Sequence, residues 1–169
     1  MGSWTKPFIA VLAALLAALL AAQSTSDPAA AQEEDLAKRL LRATEGLQMP
    51  GSEADSSWWF VSYPGEKELP TAERMATLEG CAGFPDGVMS RLDFDATFDS
   101  LGRVEPWMDQ GQKKSAHGFA RLRDLFHRQY GEDLAVYRCD TNQYGEVRIY
   151  FLGLDEEGLS GLETINIET

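Results

Sequence analysis

The sequence predicts a mixed α+β fold with a mainly antiparallel sheet that closes the chain as a C-terminal meander. Three observations carry that expectation. LAVYRC (residues 134–139), EVRIYFLGL (146–154) and LETINIE (162–168) are rich in β-branched and aromatic residues. The connectors between them, DTNQYG and DEEGLSG, carry the Gly, Asn and Asp that hairpin loops use. Two upstream segments instead repeat their apolar residues at helical spacing, and helices followed by a run of hairpin-linked strands make an α+β domain.

Lys6 is the only charged residue before FIAVLAALLAALLAA (8–22). A short cationic start, an apolar run of this length and a later small-residue site form a secretory signal, with cleavage expected after AAA (29–31). Residues 1–31 are thus assigned to a signal peptide and residues 32–169 to a single exported domain. A spanning helix needs roughly 20 apolar residues, more than this run supplies; an uncleaved N-terminal anchor is the other reading. The mature form is expected to have no membrane association.

Residues 33–45, EEDLAKRLLRATE, place Leu36, Leu40 and Leu41 on one face with acids in the first turn, which predicts an amphipathic helix ending at Gly46. LQMPGSEADSS is loop chemistry, and WWFVSY (58–63) reads as a strand. Pro70 or Thr71 opens a second helix, TAERMATLEG, with Met75 and Leu78 inward. VMSRLDFDATF (88–98) is read as a short strand ending near Asp95 and then a helical turn. LGRVEPWMDQGQKK (101–114) is a loop around Trp107. A long helix follows over roughly 113–130, with Phe119, Leu122, Phe126 and Tyr130 in one stripe. In the last segment Ile165 and Ile167 point one way, and Thr164, Asn166 and Glu168 the other, the period of a half-buried strand.

The net charge of −12 survives removal of the leader, which takes away one cation, Lys6, and one acid, Asp27. Direct nucleic-acid binding is not expected on this ground, because phosphate binding needs Lys and Arg to displace counterions. An acidic field of this size attracts basic protein surfaces or cations, or keeps an exported protein soluble. Two cysteines, Cys81 and Cys139, form an even count in an exported chain. That favours a disulfide over two separate buried thiols.

No enzyme motif is present. His117 and His127 lie roughly 80° apart and nearly three turns separated on one helix, too far for one metal. Asp93 and Asp95, on one face of a strand, could serve acid–base or Ca²⁺ chemistry, but their spacing is not that of an EF-hand. There is no GxSxG elbow, phosphate-cradling glycine loop or zinc-ligand cysteine pairing. The candidates for recognition are the MPGSEADSS loop with Glu53, the loop Trp107, and the carboxylate end after Glu168. Trp is enriched at binding hot spots.

The segment order LLRATEGL, SEAD, DFDATF, VYR, GEVRIYFLG and GLSGLETINIET resembles the nuclease A inhibitors over about residues 33–169. These are small acidic proteins that block sugar-non-specific ββα-metal nucleases. The resemblance implies an α/β/α sandwich and a protein that inhibits rather than catalyses, with no cofactor of its own. It further implies a one-to-one complex with a nuclease in which Glu53, Trp107 and the C-terminal Thr169, presented by Glu168, make the contact. Thr169 would approach the nuclease's divalent metal as a phosphate mimic. Export implies a target met outside the cytoplasm. A secreted interaction domain with a non-nuclease partner is the alternative. A metal-dependent hydrolase built on Asp93, Asp95 and a histidine is the reading from another class.

Overall fold

The computed structural model describes residues 28–52, 56–84, 86–143 and 145–168. The chain divides into two units, Met1–Asp35 and Leu36–Thr169. In the first unit the described residues, 28–35, begin helix α1 (Pro28–Ala43); the apolar run 8–22 lies outside the described residues. The cleavage position after Ala31 falls within α1. The helix begins earlier than the expected residue 33 because Pro28 opens it and the alanines that follow are strong helix formers. No helix among the described residues is long and apolar enough to cross a membrane.

The second unit is built on five strands, β1 (Trp58–Tyr63), β2 (Val88–Leu92), β3 (Leu134–Asp140), β4 (Glu146–Leu154) and β5 (Leu159–Ile167). They form one sheet in the order β1-β5-β4-β3-β2, with every neighbouring pair antiparallel. β3, β4 and β5 are the expected meander. β5 starts three residues before the position read from sequence, since Leu159, Ser160 and Gly161 pair with β4 instead of forming a loop.

Helices cover both faces, giving the α/β/α sandwich. On one face Leu36 and Leu40 of α1 join α3 (Phe94–Leu101) and α4 (Gln110–Tyr130) over Val136, Phe151 and Leu162. Phe98 sits at the centre, its ring against those of Phe94, Phe119, Phe126 and Phe151. On the other face the short α2 (Ala72–Leu78), capped by Thr71, seats Met75 beside Tyr137, Tyr150 and Leu152. The 3-10 turn Cys81–Gly83 follows, and Cys81 forms a disulfide with Cys139 of β3.

Two boundaries differ from the sequence reading. α4 begins at Gln110 instead of 113, because Asp109 and Gln112 form a reciprocal capping box that satisfies two end amides. β2 ends at Leu92, not near Asp95. Asp93 leaves the strand and caps α3 by accepting from Ala96 N at 2.7 Å.

Candidate binding surface

At one end of the sheet the inner face turns from apolar to polar. Antiparallel register aligns Val136, Phe151 and Leu162 in one row, then Arg138, Ile149 and Thr164, then Asp140, Val147 and Asn166. The inward residues of the last strand are thus Thr164 and Asn166, both buried, while Ile165 and Ile167 stand half-buried on the opposite face. The alternation read from sequence holds, and it is the polar set that faces the α1–α3–α4 layer. The polar groups are tolerated because Thr164 Oγ1 donates to Ser57 O at 2.8 Å and Asn166 Nδ2 donates to Glu168 Oε1 at 2.8 Å.

Arg138 holds this end together. Its guanidinium bonds Asp140 and both carboxylate oxygens of Glu168, the latter at 3.0 and 2.8 Å. The Arg138 bonds hold the Glu168 carboxyl below its usual range, against a smaller opposing effect of burial. Glu168 N also donates to Gly145 O at 2.8 Å. A Cβ on Gly145 would fall 1.8 Å from Glu168 O, so glycine is what lets the β3–β4 loop approach the end of β5.

Two loops rise beside this end. In the first, Met49 O accepts from Ser52 N across Pro50 and Gly51, and Gly51 has a φ of 78°. Pro followed by a positive-φ Gly is the chemistry of a type II turn. Gln48 is bonded through both N and O to Ser115 Oγ of α4. Ser52 Oγ accepts from Ile167 N at 3.3 Å, tying this loop to β5. The second loop turns at Glu105-Pro106-Trp107-Met108, closed by Met108 N to Glu105 O at 3.2 Å. Pro106 fixes the corner, and Trp107 projects from it 71 % exposed.

Trp107 and Glu168 line a single groove of about 440 Å³, with Met49, Pro50, Arg138 and Asn166 among the other walls. Of the four partner-contact residues expected from sequence, the structure brings these two together. Glu53 and Thr169 lie outside the described residues; their neighbours Ser52 and Glu168 flank the same end of β5. Arg138 and Asn166 were not singled out from sequence. The available signal was their register: each continues an inward alternation, Leu134–Val136 or Leu162–Thr164, with a polar residue.

The acid–base candidate separates. Asp93 is occupied as a helix cap, and Asp95, in the first turn of α3, does not share a strand face with it. Asp95 Oδ1 instead meets His127 Nε2 at 2.9 Å, and His127 Nδ1 bonds Gly131 O. No group of three or more His, Cys, Asp or Glu among the described residues could hold a metal ion. The bond to Asp95 raises the His127 pKa above 6.5, with Glu132 adding a smaller push in the same direction. A raised folded-state pKa adds stability that is complete below pH 6.5 and fades as the pH rises through the folded value. The stability lost in His127→Gln should therefore be larger at about pH 5.5 than at about pH 9. Thermal melts at the two pH values check this, and an equal difference at both would contradict it.

A family model described as nuclease A inhibitor-like protein, NuiA, matches residues 34–169. A search of the curated proteins finds no match.

Proposed function

Because the chain belongs to the nuclease A inhibitor-like family, we propose that it is an exported inhibitor that binds one nuclease molecule and occludes its active site. The family points to inhibition rather than catalysis and to a nuclease as the partner. The observation that carries the finer reading is the convergence of Trp107 and Glu168 on one groove, on a protein of net charge −12. A nuclease must offer a cationic surface to nucleic-acid phosphates, so an acidic surface complements it and accelerates encounter.

In this reading Thr169 lies near the nuclease's metal in the position of a phosphate oxygen, Glu53 faces basic residues beside it, and Trp107 packs as the central anchor. The inhibitor brings no cofactor. The contact surface is rigid before binding: Trp107 stands on a closed proline turn, and Glu168 is clamped by Arg138. Rigidity spares the complex the cost of ordering long side chains and a tail. The leader-like residues 8–22 support export, which would place the encounter outside the cytoplasm.

The test is a titration of the purified mature protein into non-specific ββα-metal nucleases, followed by DNA degradation. Activity should fall linearly to an end point at one inhibitor per nuclease. Undiminished degradation at a large excess, across several exported nucleases, would favour an interaction domain with a different partner.

A further inference from the structure

Asn166 Oδ1 is buried and has no hydrogen-bond partner. The residue is 3 % exposed and lines the groove shared by Trp107 and Glu168. The orientation of the amide is fixed by its neighbour. Glu168 Oε1 can only accept, so the nitrogen of Asn166 faces it and the carbonyl oxygen is left on the other side. The adjacent guanidinium does not serve that oxygen: four of the five Arg138 N–H groups bond Asp140 and Glu168, and none bonds Asn166 Oδ1. Leaving a buried acceptor unpaired is costly, and a donor that arrives on binding recovers that cost.

The charge around the oxygen specifies the donor. Glu105 and Glu168 line the groove with Arg103 and Arg138, and Asp140 stands behind Arg138. Three carboxylates against two guanidiniums leave this end of the sheet negative. The exposed indole of Trp107 adds an aromatic wall of the kind that attracts cations. Resting on the nuclease-inhibitor reading, we propose that this groove seats one basic side chain, lysine or arginine, of the bound nuclease. Asn166 Oδ1 accepts its hydrogen bond, and Trp107 covers its stem. A donor reaches the amide through the groove that Asn166 lines, once side chains at its mouth shift, while the turn that carries Trp107 stays in place.

Asn166→Leu keeps the branching of the side chain and removes the acceptor, together with the Nδ2 donor to Glu168. It should weaken nuclease inhibition roughly 10- to 100-fold, the loss of a hydrogen bond to a charged donor, with an unchanged or higher melting temperature. Asn166→Ala serves as the second variant if leucine disturbs folding. Each is then paired with single alanine substitutions of the nuclease's basic active-site residues. One basic residue should couple to Asn166 while the others add independently. Wild-type inhibition by both Asn166 variants, or weakening that couples to no basic residue, overturns the basic seat and leaves the inhibitor reading standing. Absence of inhibition by the wild-type protein removes that reading and the seat with it.

Discussion

Residues appended after Thr169, as in a C-terminal tag, are expected to weaken nuclease inhibition by more than about 100-fold, the scale of a lost hot-spot contact. The melting temperature should stay within roughly 2 °C of the untagged protein, because a solvated extension touches no core residue. The expectation follows from how the end of β5 is held. Ile167 N is bonded to Ser52, Glu168 N to Gly145, and the Glu168 carboxylate to Arg138. In the proposed complex Thr169 meets the nuclease metal, so extra chain would have to pass through that contact. Deleting Thr169 alone tests the same point from the other side. A tagged protein that inhibits as well as the untagged one would move the key contact to Trp107 and the first loop.

Loss of the Cys81–Cys139 bond is expected to lower stability by about 4 kcal/mol, or roughly 15 °C in Tm for a domain of this size. The bond spans a sequence separation of 58 and joins the turn after α2 to β3. Both cysteines are almost completely buried among Met75, Tyr137 and Tyr150, on the face with the thinner helical cover. Opening it frees the loop of residues 82–138, which carries β2, α3 and α4, in the unfolded chain, and in the folded protein it unties the turn after α2 from β3. Cys81→Ala with Cys139→Ala, melted beside the oxidised wild type, measures the effect; a difference below about 1 kcal/mol would assign the bond no part in holding α2. Disulfides persist in oxidising compartments, so an exported chain would keep this contribution.

Much of the fold was legible because its patterns are local. WWFVSY is β1 and EVRIYFLGL is β4 without correction, since β-branched and aromatic runs bounded by turn residues have few other solutions. The stripe Phe119, Leu122, Phe126 and Tyr130 is the buried face of α4. DFDATF misleads because Phe94 and Phe98 fit helical spacing while the residues before them alternate. The cap made by Asp93 decides the matter, and a cap is visible only once the backbone turns. At LSG the glycine looks like a loop signal. Instead Gly161 lies inside β5, where a Cβ would meet Phe151 O at 2.1 Å, so it marks the close approach of β4.

The binding surface was legible in part, and for a physical reason. Trp107 and Glu168 stand out as an aromatic in a polar loop and an acid at a strand end. That they share a groove depends on which side of β5 faces the α1–α3–α4 layer, and period-2 alternation alone does not say. The larger side chains, Ile165 and Ile167, stand half-buried on the other face. The interior takes Thr164 and Asn166 because the backbone carbonyl of Ser57 and the carboxylate of Glu168 are there to bond them. Arg138 is understood only with Glu168, 30 residues further along, completing the pair it makes with its near neighbour Asp140.

The strand order also bears on how the chain finds this structure. β3, β4 and β5 are joined by short hairpins and can pair as soon as they meet, but β1 has a single sheet neighbour, β5. The contact between Ser57 and Thr164 spans 107 residues. Closing so long a loop is entropically unfavourable until the hairpins are in place to reward it. β1 is then expected to dock after the hairpins, and until it does the outer rim of β5 is a bare row of amides and carbonyls open to pairing with another chain. Native-state hydrogen exchange would register this order as β1 amides opening at lower free energy than those of β3 and β4. That order would join the first strand to the rest late, through the strand that carries Asn166 and ends one residue before Glu168.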